Sequence, residues 1–353
     1  MKDSEVPSRP RRATIADVAQ AAGVSLSTVD RVLNGRAPVR TDTAELIHAA
    51  AERVGFHAAG VIRERVRGKR RRFTLGFLVE HPDLVFHRTL GEAMAAATHA
   101  NNEHCERAVV EYTADIAPDA VSWQLRDLGE RVDAVAVVTA DHPLIGAEIE
   151  RLGARGVPVF ALISDLSAPR RAGYAGLDNR RVGRAAAWFI TRLAREPGKL
   201  AIFVGSHRFQ CQELAEMSFR SYVREHAPEF ELLEPLVTLE SNQLAEEGTR
   251  DLFQRHPDIV GVFVAGDGTD GVLRALREHR EAGDGPSVIG IARELTPNTR
   301  DGLLRGDLAA VLSHPLLQLA HELVAAMVAS LANPALGLQQ IVVPLDTQTP
   351  QSV

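Results

Sequence analysis

The feature that most constrains the fold is a regular alternation of apolar β-type runs with helical periodicities, which begins at Phe73. It continues from a strand predicted at Thr74–Val79 to one predicted at Val288–Ile291, and includes a long strand at Leu232–Leu239. Such alternation is typical of parallel strands joined by helices, with each sheet covered on both faces. One sheet of this length would be unusual, so residues 73–353 predict an α/β body of two parallel-sheet lobes.

A different pattern precedes the body, in residues 14–36. Two short helical periodicities lie on either side of Gly23, which can take positive φ and end the first helix. Thr14 and Ser25 can cap the two helices, and a third helix is expected from about Thr41 to Val54. Two helices across a tight glycine turn predict a small all-α helix-turn-helix head.

The second helix of this head would enter a major groove with its N-terminal half, which presents Leu26, Ser27 and Arg31 outward. Arg31 is within reach of guanine or phosphate. The predicted DNA-binding residues of the head and the segment after it are Thr14, Ser25, Leu26, Ser27, Thr28, Asp30, Arg31, Asn34, Arg36, Arg63 and Val66.

The charge distribution is consistent with this prediction. Residues 1–72 carry 15 Lys and Arg against 8 Asp and Glu, a net charge of +7, so the rest of the chain carries −13 of the total of −6. A basic segment on an acidic body suits a head that meets a polyanion. The alternative is a solvated basic tail, and residues 1–12 are expected to form a disordered arm.

Composition favours a cytoplasmic protein without a membrane partner. The 353 residues are 45% hydrophobic and 24% charged, as in globular proteins, and leave room for two or three domains. No apolar stretch approaches the roughly 18 residues of a spanning helix, and the N-terminus lacks the apolar core of a signal peptide. Cys105 and Cys211 suggest no disulfide framework.

The head also resembles a specific family. Ile-Ala-Asp-Val-Ala, Ala-Gly-Val-Ser and Thr-Val-x-Arg-Val-Leu-Asn-Gly, within residues 15–35, are similar to the DNA-binding head of the LacI/GalR family of bacterial repressors. The resemblance places a helix-turn-helix DNA-binding domain at 13–56. Asp30 departs from the Ser common in relatives. It is expected to accept from cytosine or pair with an arginine, unless it only belongs to a solvated face.

In that family a hinge follows the head, here residues 57–72, and folds as a short helix that wedges leucines into the minor groove. Ala58-Ala59 replaces the usual Pro-Asn, and Arg65 aligns with the lever leucine. Three interpretations stay open: Val66 is a weaker wedge, the hinge acts through charge alone, or the segment is a flexible basic linker.

The body resembles the effector-binding region of the same family, which is similar to type I periplasmic sugar-binding proteins. The resemblance predicts a first lobe of about 73–176 and 307–333 and a second lobe of about 177–306 and 334–353, with a ligand cleft between them. It also implies a homodimer, with contacts through Leu90–Asn101 and the stretch near Leu303–Leu312, which reads a palindromic DNA operator.

Ligands of open α/β sheets bind beyond the carboxyl ends of the strands. Polar residues there, with Phe86 or Trp188 to stack on a ring, suit a small sugar, polyol or sugar-acid effector. The family resemblance supports Asp165, Asp267, Glu294 and His314, although Gly266 replaces its usual Asn. The predicted effector-binding residues are His81, Phe86, Asp141, Asp165, His207, Arg208, Asp267, Glu294 and His314.

No enzymatic chemistry or cofactor is predicted. Ser206-His207 lacks a nucleophile elbow, the histidines are scattered, and no metal-ligand spacing or phosphate loop occurs. The sequence therefore predicts a DNA-binding transcriptional regulator, most simply a repressor, under allosteric control by the effector. The alternative is a sugar-binding protein or sugar-processing enzyme with an accessory helical domain.

Overall fold

The structure is a computed structural model that describes residues 12–35, 39–62, 72–283 and 287–353. The chain divides into two compact units, Met1–Arg72 and Phe73–Val353, called here the head and the body. Among the described residues, no helix is both long and apolar enough to span a membrane. The arm predicted at 1–12 lies outside the described residues except for Arg12.

The head contains three helices, α1 (Ile15–Ala22), α2 (Leu26–Asn34) and α3 (Thr41–Arg53). Gly23 ends α1 in the left-handed region at φ 65°, as the sequence predicted. The core is small because each helix buries one narrow stripe. Its fully buried members include Val18, Val29, Ile47, Ala50 and Ala51.

The folded head extends beyond residue 56, where the sequence placed its end. Residues 59–62 form a further helical turn, and Ile62 is completely buried in the same core as Val18 and Ile47. The first part of the predicted hinge therefore packs as part of the head. The rest of that prediction, including Arg63, Arg65 and Val66, lies outside the described residues.

The first sheet of the body has six strands in the order β12-β5-β4-β3-β1-β2, and each pair of neighbouring strands is parallel. Central strands are buried on both faces, because helices cover both sides. The strands are β1 (Phe73–Glu80), β2 (Cys105–Thr113), β3 (Ala134–Val137), β4 (Val159–Leu162), β5 (Gly173–Gly176) and β12 (Gln339–Val342).

The second sheet has the order β13-β11-β10-β9-β6-β7, with β8 also paired to β6 and antiparallel pairing only at β11–β13. The strand predicted at Leu232–Leu239 is two short strands, because the chain leaves the sheet between them. The strands are β6 (Lys199–Val204), β7 (Glu231–Leu232), β8 (Leu236–Val237), β9 (Ile259–Val264), β10 (Ile289–Arg293), β11 (Ala310–Ser313) and β13 (Asp346–Gln348).

Nine helices of the described body cover the two sheets. Helices α4 and α12 pack together on the first sheet, α5 with α6 on its other face, α7 with α8 and α9 with α10 on the second. The helices are α4 (Val85–Ala100), α5 (Pro118–Arg131), α6 (Pro143–Ala154), α7 (Asn179–Leu193), α8 (Gln210–His226), α9 (Asn242–Arg255), α10 (Thr269–Ala282), α11 (Pro297–Arg305) and α12 (Leu316–Ala332).

This architecture confirms the predicted fold class, but two lobe boundaries differ from the prediction. Residues from 307 onward were assigned to the first lobe, whereas β11 pairs with β10 in the second sheet. Residues from 334 onward were assigned to the second lobe, whereas β12 pairs with β5 in the first sheet. The chain thus returns from the second lobe to the first at His314–Pro315. The sequence could not show this, because an apolar run of four residues does not reveal which sheet it joins.

The stretch predicted as a dimer contact is mostly internal. Leu303, Leu308 and Leu312 are buried in the second lobe, and Leu90 is buried in the first. Leu304, at 58% exposed, is the large apolar side chain of the 303–312 stretch that faces outward. Any contact through this region must therefore use helix surfaces other than those apolar stripes.

Candidate functional sites

The outward face of α2 carries the recognition residues that the sequence predicted. Leu26 is 57% exposed, and Ser27 and Arg31 are exposed on the same helix, while Val29 and Val32 anchor its opposite face. The core therefore fixes the helix and leaves its polar side free. Arg36 lies outside the described residues.

Several predicted DNA-binding residues also have a local structural role. Thr14 and Asp17 form a capping box on α1, and the Ser25 hydroxyl accepts a hydrogen bond from the Thr28 amide at 3.2 Å. At the other end of α2, Asn34 donates to Asp30 at 2.6 Å. The side chain of Asp30 thus accepts a hydrogen bond within its own helix, at a position that is open to solvent.

The body has a cleft between its lobes, at the carboxyl ends of strands from both sheets. The empty space along it, counted out to open solvent, is about 910 Å³. Residues of the first lobe lining it include Glu80, Phe86, His87, Val138 and Ser164, and those of the second include Phe209, Gln212, Glu240, Asn242, Asp267, Asp270, Arg293, Glu294 and Asn298.

Three predicted effector residues line this cleft: Phe86, Asp267 and Glu294. Phe86 lies in the first turn of α4 with its ring 5.3 Å from that of His87, while the other two follow β9 and β10. His81 lies beside the cleft, with its ring 6.1 Å from that of His87. Burial and the charge of His87 lower the pKa of His81.

Two predicted carboxylates are engaged elsewhere. Asp165 receives two hydrogen bonds from Arg171, at 2.7 and 3.0 Å, because the loop after β4 turns back on itself. Asp141 accepts from Gln210 at 3.0 Å and from the Ser167 amide at 3.2 Å. Neither lines the cleft, so their role is to fix loops at its edge.

The other three predicted residues do not line the cleft either. The exposed His207 pairs with Glu216 at 2.9 Å. Arg208 is also exposed, and its backbone amide donates to the Ser206 hydroxyl at 3.3 Å. His314 lies behind Glu294, as described below. Trp188, considered as a stacking residue, is 47% exposed on α7 and packs against Phe189.

The floor of the cleft holds three interacting carboxyl groups. Glu80 ends β1 at 2% exposed, and Glu240 accepts from the Asp267 amide and from Gln212, both at 2.8 Å. Burial, and then the charges of Glu240 and Asp267, raise the pKa of Glu80 well above its usual value. Burial and Asp267 raise the pKa of Glu240 to about 7. These groups therefore resist carrying full charge together.

A second charged group connects the cleft to a crossing between lobes. Glu294 accepts from the His314 amide at 3.1 Å and lies 2.8 Å from its ring Nδ1. Burial would raise the pKa of Glu294, but the charges of His314 and Arg293 outweigh it and lower that pKa. Because His314 lies between β11 of the second lobe and α12 of the first, this contact joins the cleft to a segment that connects the lobes.

Contacts across the cleft already join the two lobes. His87 Nε2 of the first lobe lies 3.3 Å from Asp267 Oδ2 of the second. Ser164 in the first lobe accepts from the Cys211 amide of the second at 3.3 Å. The cleft is thus narrow enough for one small ligand to touch both lobes.

Strained backbone surrounds the same cleft. The five non-glycine residues with positive φ in the described chain all follow strands at its edge: His81, Ile163, Leu239, Glu240 and Glu294. Such conformations cost about 1–3 kcal/mol each and tend to occur at binding sites. Here they turn the chain sharply at the ends of β1, β4, β8 and β10.

Sequence reasoning missed His87, Gln212 and Glu240. The strand-end rule applied to the predicted strand Leu232–Leu239 points directly to Glu240, so that signal was present. His87 and Gln212 lie on the buried faces of α4 and α8, which mix apolar residues with a few other polar ones, and no sequence pattern distinguishes them from core residues. Within the described ranges, no group of three His, Cys, Asp or Glu side chains has an arrangement that could hold a metal ion.

Comparison with family models gives two matches. Residues 75–334 match the periplasmic binding protein domain, and residues 14–58 match the bacterial regulatory proteins of the lacI family. The second match lies within the head and includes its three helices.

Curated relatives cover part of the chain. The regulator reg1 of Streptomyces lividans is 28% identical over 55% of this chain and 54% of its own, and MalR of Streptomyces coelicolor is 26% identical over the same shares. The maltose regulon regulatory protein MalI of Escherichia coli is 52% identical over 46 residues, 13% of this chain and 14% of its own. The chain thus matches about half the length of the first two relatives.

Solved structures share the fold of the body. A glucose-galactose binding protein of Geobacillus stearothermophilus superposes with a TM-score of 0.71 at 18% identity, over 80% of this chain and 99% of the other. A solute binding protein of Burkholderia graminis in complex with D-arabinose gives 0.70 at 16% identity, over 79% and 95%.

Proposed function

Because the chain belongs to the lacI family of bacterial regulatory proteins, we propose that it is a transcriptional regulator whose operator affinity is set by a small effector bound between the lobes of the body. The observation that carries the proposal is that one chain combines an exposed recognition helix with a two-lobed cleft lined by polar groups from both lobes.

The head supports sequence-specific DNA binding. Its α2 presents Ser27 and Arg31 to solvent on a helix fixed by a buried opposite face. Arg is the side chain that pairs bidentately with guanine in the major groove. One such helix buries too little surface for a tight specific site, so a homodimer that reads a palindromic operator follows from the same argument.

The cleft supports a sugar-like effector. Carboxylates, amides and one arginine face an aromatic ring, Phe86, which suits hydroxyl groups on a ring with an apolar face. The curated relatives include one regulator named for maltose, and two of the fold neighbours are named for, or in complex with, simple sugars. A ligand that touches both lobes favours the closed body, and only this differential affinity can shift the equilibrium.

Repression in the cytoplasm, where operator DNA lies, is the form of regulation that we propose. No catalytic role is assigned, because Ser206 and His207 are neighbours in a loop and His207 pairs with Glu216. A coupling of about 1–3 kcal/mol between effector and operator is typical of such switches.

Binding to the DNA upstream of the protein's own gene tests this function. We expect a retarded complex in electrophoresis and a protected palindrome in footprinting, with affinity changed about 5- to 150-fold by a sugar that stabilises the protein. A protein that binds that DNA no better than a scrambled duplex at the same salt concentration would contradict the proposal.

A further inference from the structure

The charges that line the cleft are strongly unbalanced. Five carboxyl groups face it, against one arginine and one histidine: Glu80, Glu240, Asp267, Asp270, Glu294, Arg293 and His87. His87 is paired across the cleft with Asp267 at 3.3 Å. It can supply at most one positive charge to this group.

The arginine lies next to a carboxylate of the same cleft, while its Nε atom has no hydrogen-bond partner among the described residues. Arg293 donates to Glu294 at 3.5 Å and lies beside Cys211 and Tyr174. Glu294 is in turn bonded by His314. The charge of Arg293 therefore balances that of Glu294, and Glu80 and Glu240 have no cation of their own in the part of the chain that the structure describes.

Glu80 provides a second, independent observation. Its side chain is 2% exposed and lines the cleft, and its Oε1 atom has no hydrogen-bond partner among the described residues. A buried polar atom without a partner is destabilising and is rare in folded proteins. An unpartnered carboxyl oxygen at the floor of a ligand cleft indicates that the ligand supplies its hydrogen-bond partner.

We propose that the effector is an amino sugar or amino polyol whose protonated amine binds among Glu80, Glu240 and Asp267. This inference rests on the proposed function and specifies its ligand. An ammonium group offers three hydrogen-bond donors and no acceptor, which matches three carboxyl groups on one side of a cleft. The face of Phe86, on the first lobe, is available to the ring or chain that carries the amine.

The other ligand classes fit less well. A sugar acid would add a negative charge to a site that already holds five carboxyl groups against one arginine. A neutral sugar can bond to the carboxyl groups but leaves their mutual repulsion in place. A metal ion is disfavoured because no suitable cluster of three ligands exists in the described part of the chain.

Proton release follows from this chemistry. In the free protein the pKa of Glu80 lies well above its usual value and that of Glu240 is about 7, so near neutral pH the pair holds protons. An ammonium group displaces them, and affinity therefore rises with pH through about 7. The charged or titratable groups packed around the pair are His81, Asp83, His87, Asp267, Asp270, Arg293 and Glu294.

The test is calorimetric titration of the full chain with matched sets of ligands at about pH 5.5 and about pH 7, where the ligand amine stays protonated. Each set contains an aldohexose, its 2-amino derivative, its uronic acid and the corresponding polyol and amino polyol. We expect an amino member to bind at least tenfold more tightly than its neutral parent, and more tightly at the higher pH because the carboxyl groups have then lost more of their protons. Titration in two buffers of different ionisation enthalpy should show protons released on binding.

Two variants assign the effect. Glu80→Gln removes the charge and keeps the size of the side chain, and should lose at least tenfold in amine affinity together with most of the proton release. Glu229→Gln, an exposed carboxyl group of the second lobe, serves as the matched control and should bind as the wild type does. If Glu80→Gln does not fold, the proton release of the wild type, measured in the two buffers, tests the proposal without a variant.

A neutral or acidic member that binds most tightly, or a panel in which no member binds, would overturn the inference. The proposed function is judged separately: it stands if the upstream DNA is bound through Arg31, and it fails if that DNA is not bound. If a neutral sugar changes operator affinity, the proposed amino-sugar effector is wrong and the proposed regulatory function stands.

Discussion

The recognition face of the head and the cleft of the body are built in opposite ways. Polar contacts on α2 join residues two to four positions apart, such as Ser25 with Thr28 and Asp30 with Asn34, and remain in solvent. The cleft instead joins residues as distant as His87 and Asp267, 180 positions apart, and buries its charges. A surface face is tuned by single side chains, whereas a buried cleft couples binding to folding and to protonation.

This comparison predicts that the two units respond independently to substitution. The largest effect is expected from Ile47→Ala, which empties part of the head's small core. A loss of about 2–5 kcal/mol is typical of such a change and is large for a unit of this size. Hydrogen exchange should increase throughout residues 12–62 and remain unchanged in residues 73–353.

Leu46→Ala is the control, because Leu46 is the neighbouring residue on α3 and is 59% exposed. It should change stability by less than about 0.5 kcal/mol. Faster exchange throughout the body in Ile47→Ala would show that the two units do not fold separately.

The next largest effect is expected from Arg31→Ala, which changes only the surface of the head. It should lose about 1–3 kcal/mol of operator affinity per half-site if Arg31 contacts a base, with the preference at one base pair relaxed. Fluorescence anisotropy at fixed salt concentration measures this. Arg192→Ala, which removes an exposed arginine from the body, should leave affinity unchanged. Equal losses in both variants would mean that only net charge matters.

Glu80→Gln should reveal the coupling of the cleft to protonation. The pKa of Glu80 is raised in the folded protein, so the folded state retains a proton that the unfolded chain has released above about pH 4.5. Its contribution to stability therefore falls as pH rises through that window. The variant should melt several degrees higher than the wild type at pH 8 and nearly equally at pH 5. A melting temperature lowered at pH 8 would refute the assigned protonation.

The smallest effect is expected at the N-terminus of α2. Ser25→Ala removes the hydroxyl that accepts from the Thr28 amide, and caps of this kind contribute about 1 kcal/mol. Exchange of the first α2 amides should accelerate, while Ser25→Asp, which retains an acceptor, should restore protection. Identical protection in the alanine variant would show that the cap is unimportant here.

The same contrast explains which features could be predicted from sequence. Local signals, such as the capping residue Ser25 or the turn at Gly23, specify their structure within a few positions. The alternation in the body specified its strands and helices for the same reason. The assignment of β11 and β12 to sheets depends on pairing between distant segments, and the sequence of a short apolar strand does not indicate which strand it pairs with.

The cleft residues show this limit most clearly. Asp165 and Asp267 both follow strands and both are acidic, yet one is taken by Arg171 and the other lines the cleft. The difference arises from which loop folds back on itself. His87 and Gln212 are brought to the cleft by helix packing, which no local pattern encodes.

The central claim is that a ligand in the cleft controls the head. The most direct test measures operator affinity with and without the tightest-binding ligand of the calorimetric panel, in the wild type and in Asp267→Ala. The wild type should change affinity about 5- to 150-fold, and the variant should bind operator without ligand but respond weakly or not at all. A full response in Asp267→Ala, or a wild type whose operator affinity is unchanged by saturating ligand, would contradict the account.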